Sequence, residues 1–599
     1  MKRAIQFIEL IPYTIVLSTV FIVNKEIAHG VISGKYFWFY LSMGLCSLVS
    51  VGLVVFSRKK LQFNLLDGLF VLLGLTSLLF INFIHISEMA TKQILLILVI
   101  FLYFYFNLSL KNNKHARYWL TVCFIFTGLV EAVWGIRQLY GFEISQHRLF
   151  RLTGSFFNPG PYACYMAVVF SMSIYYALRY RICYQVKFHF RNMPIYLLWG
   201  ISVLTVIVSI IILPTTMSRA SWMATAGGCG LILLYFFSKN RKLQDFIVHN
   251  KKKCTLIASV IILLIVSGGF GVYQLKKDSA DGRTLIWKNS LELIKQNPLG
   301  VGLGNFSGSY GHIQAAYFEA GNGTEDEERI AGNPEYAFNE YLQICAEQGI
   351  IVFLLFIGIV GYSLYIGLKR KKIAATASLF ALLISASASY PFSLLPFLII
   401  LVFLLALINR KEKGIIIPKL VSITLAICSL FIVFLYIRNC YPIYYAYKKW
   451  DKVNLLYNYG DYKEATNEYR EIYPHLSDQI KFLFEYAQCL SKSEQYAESN
   501  KVLKRAVKIS CDPMLYNIMG KNYQAMKDYD LAEKSLQKSA MIVPNRIYPY
   551  YLLMKLYLES GNEEKAREYA GIVLTKEPKV QSTAVKEMRE EAETILNSG

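Results

Sequence analysis

Three polar stretches interrupt an otherwise apolar chain and place arginine, asparagine and glycine at the mouths of hydrophobic runs, where a membrane protein would do chemistry on its outer face. RLTGSFFNPGPYACYM, at Arg151–Met166, sets Asn158 in an Asn-Pro-Gly-Pro turn just ahead of an apolar run. TTMSRASW sets Arg219 at the lip of another. GRTLIWKNSLELIKQNPLGVGLGNF opens on Arg283 and closes on a tight turn through Gly300, Gly302 and Gly304. A guanidinium stays charged and offers a fork of donors. A charge at a helix mouth is therefore a functional candidate, although a lone arginine there also snorkels to headgroups. Between Arg283 and the turn, Trp287, Leu291 and Ile294 fall on one helical face, which predicts an amphipathic helix lying on the membrane.

The elements that must position these residues follow from composition. The chain has 599 residues, 55% hydrophobic and 15% aromatic, too apolar for an ordinary soluble enzyme. Runs of helix-spanning length fall near 5–23, 36–56, 65–84, 93–110, 117–140, 161–178, 195–213, 219–237, 255–275, 350–368, 374–390, 392–408 and 418–437. About thirteen spans are expected, each a helix because lipid leaves the backbone no other partner. The formal charge of +22 is spread by topology and does not form a nucleic-acid footprint: alternate connections are basic, at Lys2 and Arg3, Arg58–Lys60, Lys111–Arg117, Arg179–Arg191, Lys239–Lys253, Lys369–Lys372 and Arg410–Lys419. The positive-inside rule then puts the N-terminus in the cytoplasm, and a large loop near 276–349 on the outer face. The first run has no small-residue cleavage site and reads as an uncleaved signal anchor.

Beyond about Ile437 the apolar runs stop. DYKEA, QYAES, DYDLA and NEEKA begin at 461, 495, 528 and 562, close to the 34-residue period of tetratricopeptide helix pairs. The expected architecture is all-α: a polytopic membrane bundle over 1–437 with a helical outer loop, then an outward-facing α-solenoid over 438–599 that offers a groove to a protein partner. A spacer that packs on the outer loop is the plainer reading of the repeats. The cysteines show no metal spacing; the three that fall in the outer compartment, Cys440, Cys489 and Cys511, are an odd number that argues against a disulfide framework, with a Cys489–Cys511 bridge as the alternative. The acidic run Glu325–Glu328 reads as a solvated loop, with nothing beside it to complete a metal-ligand set.

Taken in order, NP-x(2)-YACYM, SRAS, GR-x(3)-W-x(10)-PLGVGLGNF and FNEYLQ-x(3)-EQG resemble the O-antigen ligase and O-antigen polymerase superfamily over roughly 120–410. The resemblance implies a multi-pass enzyme of the bacterial inner membrane with its repeat domain in the periplasm. Such an enzyme moves a glycan from undecaprenyl diphosphate to an acceptor hydroxyl, using no metal or other cofactor. It assigns Arg219 and Arg283 to the donor diphosphate, a role that suits paired guanidinium donors at a leaving group where negative charge develops. Arg151, Asn158, Trp287, Tyr336 and Asn339 become candidate substrate contacts. The family's histidine before the last asparagine is replaced by Phe338, which leaves the general base open between His312, Glu340 and its neighbours Glu335 and Glu347, or no dedicated base at all. The acceptor is equally open between lipid A core, a growing polymer and an exported protein. From another class, a membrane scaffold or a transporter fits the span pattern, and Glu131 and Asp67 are the intramembrane carboxylates a transporter would use.

Overall fold

The computed structural model describes residues 8–56, 61–83, 90–113, 115–179, 193–240, 245, 249–250, 277–409, 414–578 and 581–597. The run expected at 255–275 lies outside them, as do the basic positions 2–3, 58–60, 114, 181–191, 251–253 and 410–413. Each of the other expected runs is a helix. They are α1 (Ile11–Leu17), α2 (Ser33–Phe56), α3 (Leu65–Phe83), α4 (Ala90–Asn112), α5 (Ala116–Leu139), α6 (Pro159–Leu178), α7 (Met193–Thr215) and α8 (Arg219–Phe237). After the long polar stretch come α12 (Glu340–Lys369), α13 (Ile373–Ser387), α14 (Leu395–Asn409) and α15 (Lys419–Tyr459). Among the described residues, eight helices are long and apolar enough to cross a membrane and four others are shorter, so the thirteen-span estimate is not reached by helix length.

The helix α14, apolar all round, is buried from Leu395 to Asn409 and forms the centre of the bundle. Beside it, one cluster of polar side chains inside the apolar core gathers on Asp67. Asp67 accepts from Tyr103 (2.8 Å), Asn107 (2.8 Å), Asn409 (3.1 Å) and the Asn64 amide (3.0 Å), with Lys111 at 3.6 Å. Asp67 is thus a brace between α3, α4 and the end of α14, a use that weighs against a transport role. A short antiparallel pair, β1 (Gln62–Phe63) with β2 (Ile415–Ile416), ties the segment after α2 to the one before α15.

The long polar stretch folds into α9 (Lys277–Gln296), α10 (Phe306–Glu319) and α11 (Glu325–Ile330). The buried face of α9 is Leu285, Asn289, Ser290 and Leu293, while Leu291 is 57% exposed. The acidic run is not a loop: a Thr324–Glu327 capping box starts α11, and Glu327 and Glu328 pair with Lys288 (3.1 Å) and Lys576 (3.3 Å).

The composition change near 437 falls inside α15, which continues past Pro442 and ends where Gly460 adopts φ 85°. At 41 residues this helix is about 60 Å long, and it couples the membrane bundle mechanically to the C-terminal helices. Eight of these are stacked so that each packs on the next. They are α16 (Tyr462–Leu476), α17 (Ile480–Lys492), α18 (Tyr496–Ile509), α19 (Pro513–Ala525), α20 (Tyr529–Ile542), α21 (Ile547–Glu559), α22 (Glu563–Thr575) and α23 (Thr583–Asn597). Cys489 and Cys511 are free and buried in different clusters, so the possible bridge is absent.

The stack also grips α10. Gly308 and Gly311 let α10 lie directly on α18 and the residues after it: a Cβ at Gly308 would meet the Lys508 carbonyl oxygen at 2.2 Å, and one at Gly311 the Cys511 Cβ at 2.4 Å. Ser307 Oγ accepts from the Cys511 amide at 3.2 Å, and Gln314 donates to the Ile542 carbonyl at 2.6 Å. Gly308→Val is expected to cost this interface about 1–3 kcal/mol by overpacking against backbone that cannot yield. Hydrogen–deuterium exchange should then quicken across α10 and the 507–512 segment while the bundle helices keep their protection.

Candidate functional site

Arg283 sits near the start of α9 and Arg219 is the first residue of α8, 64 positions earlier in the sequence, yet the two are in electrostatic contact. Burial first, and then the like charge of Arg219, lower the Arg283 pKa from its ordinary value. Its guanidinium donates to the Ala388 carbonyl at 2.9 Å and stands 5.4 Å from the Phe338 ring centroid. Two half-buried cations that repel one another are unfavourable unless an anion completes the site. The N-terminus of α8 adds backbone amides and the positive end of its dipole beside Arg219.

An aromatic wall closes one side. Tyr336 stacks on Tyr390 with centroids 4.5 Å apart and planes within 7°, and Phe338 meets Tyr390 edge-on at 5.4 Å. Phe338 holds φ 50°, an uncommon conformation for a bulky residue, and this turns its ring toward Arg283. Trp287 fixes the same segment by donating its indole N–H to the Ala337 carbonyl at 3.0 Å. Burial raises the Tyr336 and Tyr390 hydroxyls above the usual phenol range, so both are neutral donors. Tyr390 was missed from sequence. Its only signal is its place in the Ser-Tyr-Pro-Phe break between two apolar runs.

The asparagines serve the backbone. Asn158 caps α6 by accepting from the Gly160 amide at 3.0 Å, and Asn339 caps α12 by accepting from the Tyr341 and Leu342 amides at 3.0 and 3.3 Å. Glu340 is buried and accepts from the Ser393 amide at 3.0 Å, which pins α12 to the connection between α13 and α14. Glu335 is exposed and within electrostatic range of Tyr336 and Tyr390. His312 lies elsewhere: it is exposed on α10, its pKa lowered by partial burial and by Lys538 on α20, and it is not among the groups acting on Arg283. Arg151 is exposed on its own loop, in a hollow shared with His147 and Arg148.

Two braces set the loops. Gln138 accepts from the Thr153 (2.9 Å) and Gly154 (2.7 Å) amides, Glu131 accepts from the Ser155 amide (3.0 Å), and Lys35 donates to the Ser155 carbonyl (3.0 Å). The second carboxylate singled out from sequence is therefore also a structural anchor. The glycine turn after α9 locks into a kink in α12 at Gly349: Val301 and Gly302 amides donate to the Ala346 and Glu347 carbonyls at 2.9 Å each, and Ile350 returns one to Pro298 at 3.0 Å.

Fold and site together define a multi-pass helical membrane protein in which two arginines, Arg219 and Arg283, repel one another beside an aromatic wall. A family model described as O-antigen ligase matches residues 204–357, from within α7 to the kinked half of α12. That stretch contains Arg219, Arg283, Trp287, Tyr336, Phe338, Asn339 and Glu340, and it supports membership of the O-antigen ligase superfamily and a membrane enzyme of the ligase/polymerase type. No curated protein matches the chain.

Proposed function

We propose that this protein is a glycosyltransferase of the bacterial inner membrane that moves a glycan from undecaprenyl diphosphate to an acceptor hydroxyl on the periplasmic side. The Arg219–Arg283 pair carries the reading, because a diphosphate supplies the negative charge that two adjacent guanidiniums need. The acceptor oxygen attacks the anomeric carbon, the bond from that carbon to the diphosphate oxygen breaks, and undecaprenyl diphosphate leaves with the electron pair. The two arginines and the α8 amides stabilise the charge on the leaving group. Glu335, exposed beside the aromatic wall, receives the acceptor proton; Glu340 is committed to Ser393 and holds the fold of the motif. His312 has no part in the step. The C-terminal stack acts as a tetratricopeptide-type module that holds the outer loop and recruits a protein partner.

Ligation to a lipid core, polymerisation and transfer to an exported protein share this donor chemistry, and one experiment separates them. Wild type, Arg219→Ala, Arg283→Ala and His312→Ala are expressed in a deletion strain, and lipopolysaccharide, capsule and glycoproteins are compared. Wild type and His312→Ala are expected to restore one glycoconjugate, which names the acceptor, while both arginine variants fail at equal protein level. Full restoration by both arginine variants would sink the diphosphate assignment and leave the scaffold or transporter reading.

A further inference from the structure

α12 and α13, which begin or end near Phe338 and Ala388 beside Arg283, line a cavity at their opposite ends. α13 runs from Ile373 beside this cavity to Ser387, one residue before the Ala388 carbonyl that holds Arg283, and α12 runs from the Asn339 cap to Arg370. The cavity measures about 620 Å³, within the range of small-molecule sites. Five cations line it, Arg117, Arg179, Arg370, Lys371 and Lys372, and no acidic residue stands among the described lining residues.

Basic side chains at helix ends ordinarily fan outward into headgroups and water. Here they converge from three separate places in the sequence and are held by their own neighbours. The Arg117 guanidinium lies 4.4 Å from the Tyr118 ring centroid, and its Nε is buried without a hydrogen-bond partner. Arg179 donates to the Tyr175 hydroxyl at 3.2 Å, and both arginines act electrostatically on Tyr175 and Tyr176. Lys371 keeps a charged side chain at φ 54°, in the tight turn after α12 where glycine is the usual residue. The Lys372 ammonium donates to the Leu407 and Ile408 carbonyls and fixes its charge at the cavity edge. The remaining wall is apolar and aromatic, with Leu198 and Trp199 from α7.

We propose that this cavity binds a phosphate-bearing anion whose phosphate sits among Arg117, Arg179 and the 370–372 turn, with the rest of the molecule against the aromatic wall. Bound there, the anion joins α5, α6, α12 and α13 at the end away from Arg283 and steadies the bundle. A membrane anionic headgroup and a soluble phosphate compound share this chemistry.

The test uses the full-length chain in phosphatidylcholine nanodiscs, with phosphatidylglycerol added to the lipid or with inorganic phosphate or diphosphate added to the buffer, and reads Tm. One of these additions is expected to raise Tm by several degrees, on the order of the effect of a ligand at about 100 times its Kd. An Arg117→Gln/Arg179→Gln double variant should lose that rise. A rise with phosphatidylglycerol alone identifies a lipid headgroup, and a rise with the soluble anions identifies a free phosphate compound. If the double variant does not fold, exposed Lys371→Gln should weaken the response several-fold in added anion. No rise with any addition, or an unchanged rise in the variants, overturns the proposal.

Discussion

Arg283→Lys, which keeps the charge, is expected to lose transfer almost as completely as Arg283→Ala, a fall of about 100–1000-fold in kcat/KM. The guanidinium has two duties at once: one nitrogen is held by the Ala388 carbonyl at 2.9 Å, while the group as a whole stands 5.4 Å from the Phe338 ring centroid within the field of Arg219. An ammonium on a flexible stem cannot hold the carbonyl and present a bidentate edge together. Burial and the neighbouring Arg219 already lower the pKa of this position, and lysine yields its proton far more readily than arginine under the same pressure. The residual activity of the lysine variant should therefore be greatest at low pH and fall as pH rises through its depressed pKa, a decline absent from the wild type over the same range. Initial rates with a purified lipid-linked donor across neutral to mildly alkaline pH would decide the point. A lysine variant within about tenfold of wild type, less than 1.4 kcal/mol of barrier, would show that charge alone suffices and that the forked geometry is irrelevant.

The contrast between the features readable in the sequence and those hidden in it comes from the range of each signal. Helix positions were legible because twenty-residue apolar runs in lipid admit one backbone solution, and the described runs match helices to within a few residues apart from the short α1, which covers only part of the run expected at 5–23, and the extensions of α12 and α15. The domain edge at 437 was read from composition, yet composition reports solvent and not backbone continuity, and α15 passes through unbroken. Arg219 and Arg283 were legible as isolated charges at helix mouths. The Arg283–Ala388 hydrogen bond and the Tyr336–Tyr390 stack were not, since those contacts join residues more than fifty positions apart with no periodicity to announce them. His312 illustrates the same gap from the other side. Its long polar stretch was legible, but which face of α10 it occupies depends on α20, packed across from it in a later part of the chain.

The same long-range logic makes Gly349→Ala the substitution with the largest expected effect on folding. Gly349 holds φ 82° and ψ 169°, a region open essentially to glycine alone, and any side chain there carries roughly 1–3 kcal/mol of backbone strain. A Cβ would also meet the Leu299 carbonyl carbon at 2.6 Å and its oxygen at 2.7 Å. Those are main-chain atoms, fixed by the Ile350–Pro298 and Val301–Ala346 hydrogen bonds, so relief requires the glycine turn and α12 to part, at about 1–3 kcal/mol more. The sum is a large fraction of the roughly 5–15 kcal/mol that holds a typical domain together. The damage should reach the chemistry because the turn comes directly after α9, which bears Arg283 and Trp287, and the kink belongs to α12, whose cap at Asn339 adjoins Phe338. Gly358→Ala is the matched control: it lies on the same helix with nothing within 4 Å of the added methyl, and it should be neutral or slightly stabilising. Membrane-fraction yield and Tm in detergent would show a deep loss for the first and none for the second. Equal behaviour of the two would mean that the turn and the kink are not locked together, and that Arg283 and Phe338 are brought into register by the Trp287–Ala337 hydrogen bond and the aromatic wall instead.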